Sequence, residues 1–175
     1  MTRLIEVVPY DSRWPEEFGR ERDRIQAALG GVAVRIEHNG STAVAGLSAK
    51  PVIDIQISVA QLQPMDAYAR PLTVIGYTHV PHEDDAWCPF FHRPAEWPHT
   101  HHVHVVVAGG DEEWRTLAFR DYLRSHLEAA REYAALKQEL AARFNASTFE
   151  SQQHYARAKT AFVERVLALA KGDTA

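Results

Sequence analysis

A single cysteine, Cys88, stands among 175 residues. One thiol cannot close an intramolecular disulfide, so a disulfide-stapled scaffold is excluded and a reducing, cytoplasmic location is expected. No apolar run approaches the roughly 18 residues that a membrane-spanning helix needs. The opening stretch MTRLIEVVPYDSRW lacks the apolar core of a secretion signal, because Glu6 and Asp11 interrupt it early. Positive charge is not in excess either, since 19 Lys and Arg against 23 Asp and Glu leave a net charge of -4. General binding to DNA or RNA rests on basic patches and is not expected, nor is a membrane partner. A small anionic ligand in a local pocket remains open. The last part of the chain lacks proline and glycine. All nine prolines lie at or before Pro98, and neither residue occurs from Asp111 to Lys171. That stretch, with ten Lys/Arg and nine Asp/Glu, reads as long helices.

Hydrophobic residues make up 46% of the chain and charged residues 24%, ordinary for one soluble globular domain with a core of its own. Residues 4–8 suit a short strand. Asp11 or Ser12 caps a helix that tolerates Pro15 in its first turn, repeats Trp14, Phe18, Ile25 and Leu29 on one face, and ends at Gly30-Gly31. Residues 32–37 alternate as a strand, a turn-rich stretch follows, and 52–59 form a β-branched strand. One face of that strand is apolar (Ile53, Ile55, Ile57, Val59) and the other polar around Asp54. Residues 61–76 suit a helix that Pro71 kinks or ends. A strand is expected near 88–92 and another over 102–107, with His102, His104 and Val106 on one face. Three helices are expected after that, at 111–126, 128–144 and 148–170. Tyr133, Leu136, Leu140 and Phe144 form the apolar stripe of the second, and Tyr155, Ala158, Phe162, Val166 and Leu169 that of the third.

The chemistry points to Gly40-Ser41, followed on the next strand by Asp54. A Gly-Ser turn can offer backbone N–H groups and a hydroxyl to a phosphate. An adjacent carboxylate can hold a divalent cation on the same phosphates. The plainer alternative makes Gly40 a tight-turn residue and Asp54 a solvated strand residue.

The segments VVPYDSRWPEEF, RIEHNGSTAVAGLSAKPVIDIQISV, HHVHVVV, LAFRDYLRSH and EYAALKQELA together resemble the GrpB family over roughly residues 5–165. This is a group of small bacterial proteins usually assigned to the nucleotidyltransferase superfamily, found free-standing or fused to dephospho-CoA kinases. The resemblance implies an α+β, nucleotidyltransferase-like mixed sheet with helices and a C-terminal helical bundle. It places a core over residues 1–108 and a helical segment over 109–175, packed as a single compact unit. Nucleotidyltransferases pair a Gly-Ser or Gly-Gly turn with an Asp-x-Asp/Glu strand and a third acid on a later strand. Gly40, Ser41 and Asp54 match that pattern. Gln56 stands at the second acid, and His102 and His104 stand where the third is expected. One Asp with imidazoles suits Zn²⁺ or Mn²⁺ better than Mg²⁺, which prefers oxygen ligands.

Glu37, just before the turn, either supplies the missing carboxylate or pairs with Lys50 at the start of the Asp54 strand. Seven of the ten histidines lie between His79 and His104, without the Cys pairing of a structural zinc site. Tyr133 and Lys137 are four apart, as are Tyr155 and Lys159, so each pair shares a helix face. Either lysine reaches a phosphate in the cleft or covers apolar surface with its stem. Arg120 and Asp121 are expected to tie the bundle to the sheet, and Cys88 to be core. Two functions follow as expectations. The first is nucleotidyl transfer from a nucleoside triphosphate to an acceptor, with Asp54, Glu37 and His104 catalytic. Asp54, His102 and His104 would hold a divalent metal (Mg, Mn or Zn), and Gly40, Ser41, Lys50, Lys137 and Lys159 the phosphates. The second is a non-catalytic nucleotide- or CoA-binding module that kept the turn and, with Gln56, lost the second acid.

Overall fold

The computed structural model describes residues 6–144 and 149–173. Helix α1 (Trp14–Leu29) opens where the Asp11 carboxylate accepts the Arg13 backbone N–H, and it ends at Gly30 with a φ of 53°. It buries Trp14, Ile25 and Leu29, as the periodicity requires. Strand β1 (Ala33–Asn39) runs two residues further than expected, because His38 and Asn39 are buried and pair with Ile55 and Asp54. β2 (Ile53–Val59), α2 (Asp66–Val74), β3 (Thr78–His79), β4 (Phe90–Arg93) and β5 (His101–Val107) follow. The expected strand at 4–8 is reduced to a single antiparallel bridge between Val8 and Ala49, and residues 4 and 5 lie outside the described residues.

Helix α2 does not end at Pro71. It starts only at Asp66 and runs to Val74, so the missing proline N–H interrupts a short helix that the burial of Tyr68 and Leu72 holds down. The five strands form one mixed sheet in the order β1-β2-β5-β4-β3, with β2 and β5 parallel and the other neighbours antiparallel. The architecture is α+β, as expected. Alternation assigns the two faces different work. Ile55, Ile57, Val59, Val103, Val105 and Phe91 form the apolar core with Ile25, Leu29, Tyr68 and Leu72 from α1 and α2. The other face carries Glu37, Asn39, Asp54, Gln56, Ser58, His102 and His104, and the C-terminal helices lie over it.

Those helices are α3 (Asp111–Ser125), α4 (Leu127–Arg143), α5 (Phe149–Arg157) and α6 (Thr160–Asp173). The single helix expected over 148–170 is therefore two, divided at Ala158-Lys159, and residue 148 lies outside the described residues. The division changes which residues are buried. Tyr155, Phe162 and Val166 are, but Leu169 is 50% exposed while Leu167 and Ala170 take its place. In α4 the buried stripe runs Ala130, Tyr133, Lys137, Leu140 and Ala141, with a lysine at its centre. Val44 and Leu47, from the connection between β1 and β2, pack with Leu123, Tyr133, Phe162 and Val166. The Gly-Ser segment is thus clamped between the sheet and the helices.

Candidate functional site

The site is built on the turn that ends β1. Gly40 adopts φ 66° and ψ -170°, a region essentially restricted to glycine. Its Cα lies against the neighbouring strand, and a Cβ added there would sit 2.3 Å from Asp54 Oδ2. Glycine is required here for both conformation and space, so the turn and the carboxylate form one packed unit. Ser41–Ala43 then make a single 3-10 turn, with Val44 N donating to Ser41 O at 3.1 Å.

Register brings the polar strand residues to this turn. Asp54 is paired with Asn39 on one side and His102 on the other, and Gln56 with Glu37 and His104. His102 Nδ1 lies 3.4 Å from Asp54 Oδ1. Burial pushes the Asp54 carboxyl up, but the His102 hydrogen bond and the charges of His102, His104 and Lys159 outweigh it. The net shift is downward, and Asp54 is ionised at neutral pH. Burial lowers His104, against the opposing effect of Asp54. His104 Nδ1 is 3.8 Å from Cys88 Sγ, and burial with Glu112 and Asp84 nearby pushes that thiol up to about 12, so Cys88 is no nucleophile.

The helical half contributes cations. Lys137, 3% exposed, donates from Nζ to Ser41 Oγ at 2.9 Å and to Ser48 O. Its ammonium lies 4.9 Å from the Tyr133 ring centroid. Lys159 sits at the break between α5 and α6, and its Nζ lies 4.5 Å from the Tyr155 centroid. Lys50, entering from the stretch before β2, lies 4.6 Å from the same ring. Burial lowers all three lysines. Lys137 falls to about 7 with the charge of Lys159 adding to the effect, and Lys159 to about 8 with that of Lys50. Asp54 opposes the shift in each case.

Two adjoining cavities result. The inner one, about 200 Å³, is lined by Ser41, Lys50, Asp54, Lys137, Tyr155 and Lys159, among others. The outer one, about 340 Å³, is lined by Gly40, Asp54, His104, Thr116, Phe119 and Lys159, among others. They share Ser41, Asp54, Tyr133 and Lys159 and form one cleft between the sheet and the helices.

Glu37 is not part of this cleft. Arg120, 7% exposed, reaches it at 2.8 Å and also donates to His38 O at 2.9 Å, tying α3 to β1. The carboxylate therefore meets Arg120 rather than Lys50 or a bound ion. The proposed metal ligands do not converge either. Among the described residues, the ligand atoms of Asp54, His102 and His104 do not form a group within 4.8 Å of one another, whereas those of exposed His82, Glu83 and Asp84 do. Gln56 cannot stand in for an anion, and its Oε1 accepts from Asn39 Nδ2 at 3.4 Å and from Thr116. The inner cavity holds one carboxylate and three lysines, and the cleft's other carboxylate, Glu112, lies near Arg115, so the residues present do not fit a two-cation site.

Sequence reasoning missed the α3 wall. Glu112, Thr116 and Phe119 recur at i, i+4 and i+7 and all line the outer cavity. That spacing is the available signal, but this helix carries charged residues on every side and its inward stripe is not apolar.

Fold and cleft define an α+β protein with a glycine-backed carboxylate and a lysine-lined cavity. The sequence profile described as GrpB protein matches residues 4–169, and the chain belongs to that family. It is 40% identical over 164 residues to a UPF0157 protein of Halalkalibacterium halodurans, covering 93% of this chain and 80% of that one. The crystal structure of conserved protein GrpB from Enterococcus faecalis superposes with a TM-score of 0.84 at 29% identity, covering 97% of this chain and 99% of that one. A protein named dephospho-CoA kinase from Mycobacterium bovis is 32% identical over 155 residues, 75% of this chain but 38% of that longer one.

Proposed function

We propose that the cleft binds the phosphate groups of a nucleoside triphosphate or a CoA-like molecule. The observation that carries this reading is the convergence of Lys50, Lys137 and Lys159 with Ser41 around the single carboxylate of Asp54. An ammonium is a compact point charge with three donors, suited to phosphate oxygens. Gly40 lets the backbone lie close to the strand, so the Ser41 hydroxyl stands at the cavity wall. The likeness to a protein named dephospho-CoA kinase accords with a CoA-like ligand. Calorimetric titration with ATP and with CoA tests the reading. Ser41→Ala should weaken binding by about 1 kcal/mol, the size of one lost hydrogen bond. A protein that takes up neither molecule would remove the proposal and leave the family assignment as a statement about fold.

Nucleotidyl transfer is a second reading, favoured by the ionised Asp54 packed against the Gly40 turn. An acceptor hydroxyl or amine would attack the α-phosphorus and pyrophosphate would leave, with Asp54 placed to take the acceptor's proton. Asp54→Asn keeps the shape and removes the charge. It should abolish pyrophosphate release if transfer occurs, and leave ATP binding largely intact if the cleft only binds.

A further inference from the structure

We infer that this cleft holds a polyphosphate chain without a divalent cation, Lys50, Lys137 and Lys159 supplying the positive charge that cations supply elsewhere. The inference rests on the phosphate-binding reading and adds its charge carrier. The donor set points the same way from two sides. The carboxylates a pair of cations would need are missing: Asp54 is the one carboxylate of the inner cavity, Gln56 is tied to Asn39 and Thr116, Glu37 is held by Arg120, and Glu112 of the outer cavity lies near Arg115. In their place three ammonium groups enter one cavity from three separate parts of the chain: the stretch before β2, the middle of α4 and the α5–α6 break.

The lysines are not spent on internal ion pairs. Among the described residues, Lys50 and Lys159 make no salt bridge and lie over the Tyr155 ring, and Lys137 donates only to the neutral oxygens of Ser41 and Ser48. When protonated, three lysines facing the one carboxylate of the inner cavity leave a positive excess that the fold itself does not neutralise. A ligand with several adjacent phosphates would complete it, and a cation brought along with that ligand would add to the repulsion.

The other titratable groups around the lysines are Asp54 and His102 from the sheet, Tyr133 from α4 and Tyr155 from α5, with His104, Glu112 and Arg115 at the outer cavity. Of these only Asp54 and Glu112 offer negative charge, and Glu112 lies near Arg115. Bound phosphate raises the lysines back toward their ordinary values, so binding takes up protons wherever they are partly neutral in the free protein. With Lys137 at about 7 and Lys159 at about 8, affinity is full well below pH 7, declines as pH rises past 7 and falls more steeply past 8.

The test is calorimetry with inorganic tripolyphosphate and with ATP, in EDTA and in Mg²⁺, at pH 7, 8 and 9, in two buffers of different ionisation heat. The expected result is binding in EDTA at least as tight as in Mg²⁺, with proton uptake at pH 8. Affinity should fall by up to about tenfold per pH unit above pH 8 for each lysine that must be charged. Lys50→Met and Lys159→Met, both at half-buried positions, should each weaken tripolyphosphate about tenfold or more. Lys159→Arg should keep binding and flatten the pH dependence, because arginine stays protonated. Binding that needs Mg²⁺, or that ignores pH and both methionine variants, overturns the lysine inference and leaves phosphate binding standing. No binding of either probe under any condition overturns both.

Discussion

Gly40 and His38 are the single residues on which the turn depends. At φ 66° and ψ -170°, a side chain at position 40 meets strain of about 1–3 kcal/mol, and it also collides with Asp54 Oδ2. Gly40→Ala should therefore lower the melting temperature and abolish ligand binding together, as denaturation and calorimetry on one sample would show. His38 is buried, stacked on Phe18 with centroids 4.7 Å apart, and its Nε2 lies 3.0 Å from Thr42 Oγ1. Burial lowers it to about 4 from an ordinary 6.5. Between those values the unfolded chain binds the proton and the folded chain does not. The contribution is thus whole above pH 6.5 and is lost as pH falls toward 4. At about 1.4 kcal/mol per pH unit the loss is about 3 kcal/mol. His38→Gln should flatten the stability curve between pH 6.5 and 4 in urea titrations.

At the scale of elements, α3 is the strut that fixes the helical half to the sheet. Its first turn carries Glu113, 5% exposed, which accepts from Arg35 of β1, from Ser58 of β2 at 2.5 Å and from Gly109 N at 2.6 Å. Burial pushes Glu113 up, but these donors outweigh it and hold it below its ordinary value. Further along, Arg120 ties Glu37 and His38 O. Glu113→Ala leaves the buried Ser58 hydroxyl and the Gly109 N–H without their acceptor, and should cost about 3 kcal/mol in denaturant unfolding. Amide exchange should quicken first in α3, because the loss is local to its docking.

For the whole molecule, the lysines of the cleft set stability and binding against each other. Lys137 and Lys159 lie lower folded than unfolded, so above pH 7 the unfolded chain holds more protons and raising the pH stabilises the fold. Their share of the stability should grow from pH 7 to pH 9 in the free protein. Tripolyphosphate at a hundred times its dissociation constant adds about 2.7 kcal/mol, and the same concentration should add less at pH 9. Thermal melts at both pH values, with and without tripolyphosphate, would show the free protein gaining and the ligand increment shrinking. No helix among the described residues is long and apolar enough to cross a membrane.

Local signals in the sequence determined much of this protein. The alternation of 52–59 assigned one face to the core and one to Asp54, since the strand period is two whatever the partner. The Trp14, Phe18, Ile25 and Leu29 spacing fixed α1, and the proline-free tail fixed a helical half. Gly40, Ser41 and Asp54 were legible because a glycine-serine turn ahead of an acidic strand is a local pattern, and Lys137 because it shares a helix face with Tyr133; Lys159 was singled out by its spacing from Tyr155, although it stands in the break between α5 and α6 rather than on one helix face. What remained illegible depends on contacts between distant segments. Nothing local marks a break at Ala158-Lys159, where neither glycine nor proline occurs. Packing of Tyr155 and Phe162 on different parts of the molecule divides the helix and brings Lys159 to the cleft. Glu37 could not be assigned, because its partner Arg120 lies 83 residues away. The metal ligands sit on suitable strands yet fail to converge, because strand register sets which residues are neighbours and side-chain packing sets how close they come. The sequence determined which residues could face one another; only the tertiary structure decided that lysines, not carboxylates, gather around Asp54.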